Sequence, residues 1–250
     1  EIASCLVGSE MCIRDRLMAE NVTNDEPDYL GHRERLRRRF LLGGGRDMPD
    51  YELLELLLTI AIPRRDVKPL AKELIRKFGS FAEVVNAPLE ELMLVKGVKE
   101  NTAAVLRIVR ECSVRSSWQS LKGTDAPVIS DFDAMVDYCR SAMAYQMVEE
   151  FRIIFLNSKL YVIGEEIQQR GTVDQVAIHP REVIKSAMMH GASAMILVHN
   201  HPSGIVTPSK ADMEITKRIK EAAEAVSIRL FDHLIISKSS VYSFHNQGFV

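Results

Sequence analysis

The run Ala194-Met195-Ile196-Leu197-Val198, continued by His199-Asn200-His201-Pro202-Ser203-Gly204, constrains this chain most. Five apolar residues without polar alternation describe a strand covered on both faces. Strand side chains two apart share a side, so His199 and His201 leave the strand's end together. Pro202, Ser203 and Gly204 then turn the chain, and Pro208-Ser209 opens an amphipathic helix whose first turn carries Asp212. Two imidazoles and one carboxylate are three of the four ligands of a tetrahedral zinc, and an open fourth position is the mark of a catalytic site.

Each of these residues also has a plainer reading. Ser209 and Asp212 fit a capping box, in which both side chains satisfy backbone amides at a helix start. A lone histidine at a strand end is commonly a hydrogen-bonded surface residue. Two of them at i and i+2, a tight turn and an acid in the next helical turn favour a metal site. Other zinc chemistries leave different marks. The deaminase pattern needs a Glu two residues after a ligand His and a later Pro-Cys-x-x-Cys, and a zincin needs His-Glu-x-x-His; neither occurs. The letters His-Asn-His do not make an HNH nuclease motif, whose members lie on separate elements.

His-x-His-Pro followed by Ser-x-x-Asp resembles the signature of JAMM (MPN) metalloproteases, and His-Asn-His-Pro-Ser-Gly with Pro-Ser-Lys-Ala-Asp is the form typical of the bacterial RadC family. The likeness extends over roughly residues 29 to 250 and includes His179-Pro180-Arg181-Glu182-Val183 and Asp232-His233-Leu234-Ile235-Ile236. It implies that His199, His201 and Asp212 hold Zn2+ and that the Ser209 hydroxyl helps hold an oxyanion. It also implies an upstream glutamate that takes a proton from water. Glu149 and Glu150 are adjacent candidates, and strand parity puts Glu149 with Phe151, Ile153 and Phe155, but Glu150 with Arg152. Glu149 is the expected base; the alternative makes both glutamates solvated residues at a helix-to-strand junction. Zinc lowers the pKa of water from about 15.7 to about 7 and polarises a carbonyl, so the implied reaction is hydrolysis of a peptide or isopeptide bond in a peptide or protein substrate.

With 250 residues, the chain has room for one large or two modest domains, and 46% hydrophobic with 26% charged residues is an ordinary globular balance. The longest greasy segment, Leu53 to Ile62, is too short to span a bilayer, so no membrane association is expected. Four cysteines without Cys-x-x-Cys spacing indicate neither a zinc ribbon nor a disulfide framework, and a reducing cytoplasm is the simplest location. Residues 1–17 lack the order of a signal peptide and resemble translated adaptor DNA; the expectation is a non-native extension, with Met18 as the start.

Helical signals fill residues 28–117: a basic helix from Gly31 to Phe40, one from Asp50 to Ile62, one opened by Asp66, one capped by Ser80, and a long one from Glu100 to about Arg115. A linker is expected over 118–127. Residues 128–250 then read as a helix capped by Ser130, strands over 149–156 and 160–168, the helix Pro180–His190, the histidine strand, the Ser209 helix and two closing strands. The fold class is α/β: a helical N-terminal domain followed by a mixed-sheet domain, which is also what the JAMM/MPN resemblance implies.

Residues 28–117 carry 17 basic and 13 acidic side chains, a net of +4, against −2 for residues 126–250. Leu94 to Ala103 resembles a helix-hairpin-helix, which presents backbone amides to a nucleic-acid phosphate, although Lys99 stands where a second glycine is usual. Arg37, Arg38, Lys96, Gly97 and Lys99 are the candidate DNA contacts, and a solvated basic helix with a structural αα-hairpin is the plainer alternative. His233 reads first as a satisfied core histidine, with a hydrogen bond behind a ligand as the alternative. Trp118 reads as a packing anchor. The competing function is a DNA-associated binding protein whose metal site is structural or vestigial.

Overall fold

The computed structural model describes residues 31–123, 127–128, 132–171 and 178–250. The expected extension over 1–17, its start at Met18 and the Ser130 cap lie outside the described residues. Two compact units are distinguished, one ending at Met48 and one running from Pro49 to Val250. The described part of the first is α1 (His32–Gly43), bounded by Gly31 at φ 81° and Gly44 at φ 65°. Both glycines occupy the left-handed region that other residues avoid.

The second unit begins with five helices, α2 (Asp50–Ala61), α3 (Lys68–Phe78), α4 (Phe81–Asn86), α5 (Leu89–Met93) and α6 (Glu100–Gly123). Leu54 and Leu58, one turn apart on α2, are fully buried with Leu74, Val84, Leu92 and Leu106. Ser80 caps α4 as expected, its hydroxyl accepting from Glu83 N–H at 3.2 Å. Asp50 does not cap α2: Pro49 holds the cap position, and the Asp50 carboxylate accepts from Phe81 N–H at 2.7 Å, tying α2 to α4.

The long helix α6 does not stop near Arg115. It continues to Gly123, through most of the expected linker, because Val114, Trp118 and Leu121 pack onto the core beyond it. Trp118 lies 5.0 Å from the Tyr138 ring, the anchoring role its sequence position suggested. Helices α2 to α6 therefore share a compact unit with the sheet, whereas the sequence suggested a helical module of their own over 28–117.

After α7 (Phe132–Met143) come β1 (Glu150–Leu156), β2 (Val162–Arg170), α8 (Pro180–Met189), β3 (Ala194–Asn200), α9 (Lys210–Glu224), β4 (Arg229–Ile236) and β5 (Val241–Ser243). The sheet order is β2-β1-β3-β4-β5. Only β3 and β4 run parallel; β1 is antiparallel to both β2 and β3, and β5 to β4. The sheet is mixed and covered by helices, which is the α/β class expected. Every residue of β1 and β3 is buried. Ile196, Val198, Leu234 and Ile236 meet Met135, Cys139 and Met143 of α7 on one face. Phe151, Ile153, Met195 and Leu197 meet Val183 and Ala187 of α8 and Ile219 and Ala223 of α9 on the other. The site forms where the second face reaches the C-terminal end of β3.

Candidate metal centre

Strand β3 supplies His199 at its end and His201 just beyond, and the first turn of α9 supplies Asp212. One ligand atom of each lies within 4.8 Å of the others. His199 Nε2 is 2.9 Å from His201 Nε2 and 3.3 Å from Asp212 Oδ1, and His201 Nε2 is 3.7 Å from Asp212 Oδ2. Bonds of about 2.0–2.1 Å in a tetrahedron put ligand atoms roughly 3.3 Å apart, the centre of this range. The three predicted ligands are brought together in the arrangement of a JAMM-like triad.

Each ring's other nitrogen is engaged behind the site. His201 Nδ1 lies 2.6 Å from the Ile205 carbonyl, which can only accept, so this nitrogen carries the hydrogen and Nε2 presents its lone pair. His199 Nδ1 meets His233 Nε2 at 2.8 Å. Burial, reinforced by His201 and opposed by Asp212, pushes the His199 ring down to about 4, so it stays uncharged, the form that ligates a metal. His233, fully buried, is held well below its ordinary value by burial and then by the two neighbouring imidazoles. A carboxylate and two uncharged rings turned on one point fit a divalent cation.

Asp212 is also part of the capping box read from the sequence, so the plain and functional readings are both realised. Ser209 Oγ accepts from Asp212 N–H at 3.1 Å, and Ser209 N–H donates to Asp212 Oδ2 at 2.7 Å. The cap fixes the carboxylate and leaves Oδ1 turned to His199.

The two glutamates occupy different surroundings. The Glu150 side chain, 1% exposed, is clamped by Arg152 Nη2 at 2.6 Å and Arg170 Nε at 2.5 Å. Glu149, just before β1, lines a cavity of about 250 Å³ with His199, Asp212, Phe151, Ile178 and Ile215. Its place is set by Asn200, the residue between the two histidines, to which sequence reading gave no role. The buried Asn200 amide accepts from Glu150 N–H at 2.7 Å and donates to the Val148 carbonyl at 3.1 Å, bracketing Glu149. The signal was available: an amide closing an apolar strand needs buried partners.

Arg37 and Arg38 are exposed on α1. Lys96 and Lys99 are exposed in the turn between α5 and α6, where Gly97 takes φ 102°. The αα-hairpin expected around Gly97 is present.

Comparison with known proteins agrees with this geometry. Residues 129–249 match the model of the RadC-like JAB domain, and residues 29–104 match that of the UPF0758 N-terminal region. A UPF0758 protein of Ruegeria pomeroyi is 48% identical over 225 residues, 90% of this chain and 100% of its own length. A UPF0758 protein of Rhodobacter capsulatus is 50% identical over 213 residues, 85% of this chain and 99% of its own length. With its described helices, mixed sheet and His-His-Asp cluster, the chain belongs to the RadC/UPF0758 family.

Proposed function

We propose that this protein is a zinc-dependent hydrolase of the JAMM type, cutting a peptide or isopeptide bond. One observation carries the reading: His199 Nε2, His201 Nε2 and an Asp212 oxygen converge on one point, with each ring's second nitrogen engaged elsewhere. Those three atoms would hold Zn2+. When bound, zinc supplies acidified water and a polarised scissile carbonyl.

The chain's own residues do the rest. Glu149, in the cavity beside His199, takes the proton of the attacking water and returns it to the leaving amine. The Ser209 hydroxyl spends its oxygen lone pair on the helix cap, so its own hydrogen is available to an oxyanion. Phe151, Ile178 and Ile215 give the cavity an apolar lining that limits competing water. The reading places the protein in a reducing cytoplasm, where Cys112 and Cys139 remain thiols. Among the described residues no helix is long and apolar enough to cross a membrane.

The test uses one preparation of the full chain: zinc by elemental analysis, then cleavage of peptide and isopeptide libraries by wild type and Glu149→Ala. The expected result is about one zinc per chain and turnover that the substitution removes. Absence of zinc overturns the reading, and stoichiometric zinc without turnover favours a structural or vestigial site.

DNA contact by the helical part is a second reading. It is supported by exposed Lys96 and Lys99 flanking the left-handed Gly97 turn ahead of α6, with Arg37 and Arg38 exposed on α1. A duplex shift that weakens steeply with salt is expected of the full chain, and no shift at low salt removes this reading.

A further inference from the structure

We infer that Thr216 and His233 form a positioning relay that turns the lone pair of His199 Nε2 towards the metal pocket; the inference rests on the metallohydrolase reading above. Thr216 Oγ1 lies 2.5 Å from the Asp212 carbonyl oxygen and 2.6 Å from His233 Nδ1. A carbonyl can only accept, so the hydroxyl hydrogen points to Asp212 O. The opposite direction would set two oxygen lone pairs face to face at 2.5 Å. Thr216 must then accept from His233 Nδ1–H, which leaves His233 Nε2 without a hydrogen. That nitrogen, 2.8 Å from His199 Nδ1, accepts from it. His199 therefore carries its hydrogen on Nδ1, and its bare Nε2 faces Asp212 Oδ1 and His201 Nε2.

The loop of contacts starts at the Asp212 backbone and ends at the Asp212 carboxylate. Thr216, His233 and His199 are 3%, 0% and 5% exposed, so water offers little substitute for a missing member. Phe244 stacks on the His233 ring at 4.7 Å and holds it in plane. The relay spans two elements by simple spacing. Thr216 is one turn after Asp212 on α9, and His233 pairs with Leu197, two residues before His199 on the parallel neighbour strand. Without the hydroxyl, His233 is released to the other tautomer, whose Nε2–H would drive the His199 hydrogen onto the nitrogen that must ligate.

The experiment compares wild type, Thr216→Val and Thr216→Ser in the full chain. Zinc affinity is read by competition with a chromogenic chelator, and His199 and His233 tautomers by imidazole 15N spectra of the metal-free protein. Expected are a 10–100-fold weaker affinity for Thr216→Val, mixed tautomers in its spectrum, and values within about threefold of wild type for Thr216→Ser. Wild-type affinity in Thr216→Val, or a loss of affinity with both rings still in the wild-type tautomer, overturns the relay. If wild type binds no zinc, the hydrolase reading fails on its own; the spectra still decide the relay, since Nε2–H on His199 or His233 in the metal-free wild type refutes it.

Discussion

At the scale of single residues, two neighbouring carboxylates that look alike in the sequence do different work. Glu150 sits under two guanidiniums in a buried ion cluster, where removing one partner leaves uncompensated charge. Glu150→Ala is therefore expected to cost about 3–5 kcal/mol of stability, measured by denaturant unfolding. Glu149→Gln should leave stability and zinc content unchanged while lowering turnover about 10²–10⁴-fold. A variant at position 149 that unfolds as easily as the one at 150 would contradict this division. Cysteines give a pH test. Burial pushes the Cys139 thiol up to about 12, whereas Cys112 is exposed. Thiolate, the reactive form, is thus suppressed at Cys139 in the folded chain. Stability from this group is complete below the unfolded value near 9 and is lost as pH rises towards 12. Iodoacetamide at pH 8 should mark Cys112 in the native protein and Cys139 only after unfolding, as peptide mapping will show.

At the scale of elements, the legible parts were those whose signal is local. The apolar run of β3, the Ser-x-x-Asp start of α9 and the Ser80 cap each declare themselves within a few residues, and the structure contains all three. Parity along β1 also separated Glu149 from Glu150 before any contact was visible, although every position of that strand proved buried. What stayed hidden needed a partner distant in sequence. Asn200 acquires meaning only opposite Val148 and Glu150, and Thr216 only opposite His233. The extension of α6 past Arg115 depends on Trp118 and Leu121 finding α7, which its serine-rich composition conceals. Asp50 looked like a cap because the acceptor it serves, Phe81 N–H, lies 31 residues away. Two substitutions test the elements that build the site. Ser209→Ala removes a cap contact worth about 1 kcal/mol and should weaken zinc affinity as the Asp212 carboxylate loosens. Leu197→Ala opens a cavity under β3 and should cost about 2–5 kcal/mol.

At the scale of the whole molecule, three apolar clusters hold the fold and none of them includes a ligand residue. The protein is accordingly expected to stay folded without metal but to unfold at a lower temperature. Zinc at a thousand times its Kd adds about 4 kcal/mol, several degrees for a unit this large. Melting curves with and without chelator measure it, and identical curves would sink the metal reading. Lys238 on the β4–β5 turn grips both Glu83 oxygens at 2.8–2.9 Å, linking the helical part of this unit to the sheet, but the lysine is half exposed. Lys238→Ala should therefore shift stability by less than about 1 kcal/mol. The start of α9 has one more effect. Asp212 shares its negative charge with the Ser209 amide and with the positive pole of the helix behind it. A ligand already drawn on in this way gives less electron density to the ion in front of it. A divalent ion seated there keeps more of its electron-withdrawing strength than one held by an unencumbered carboxylate.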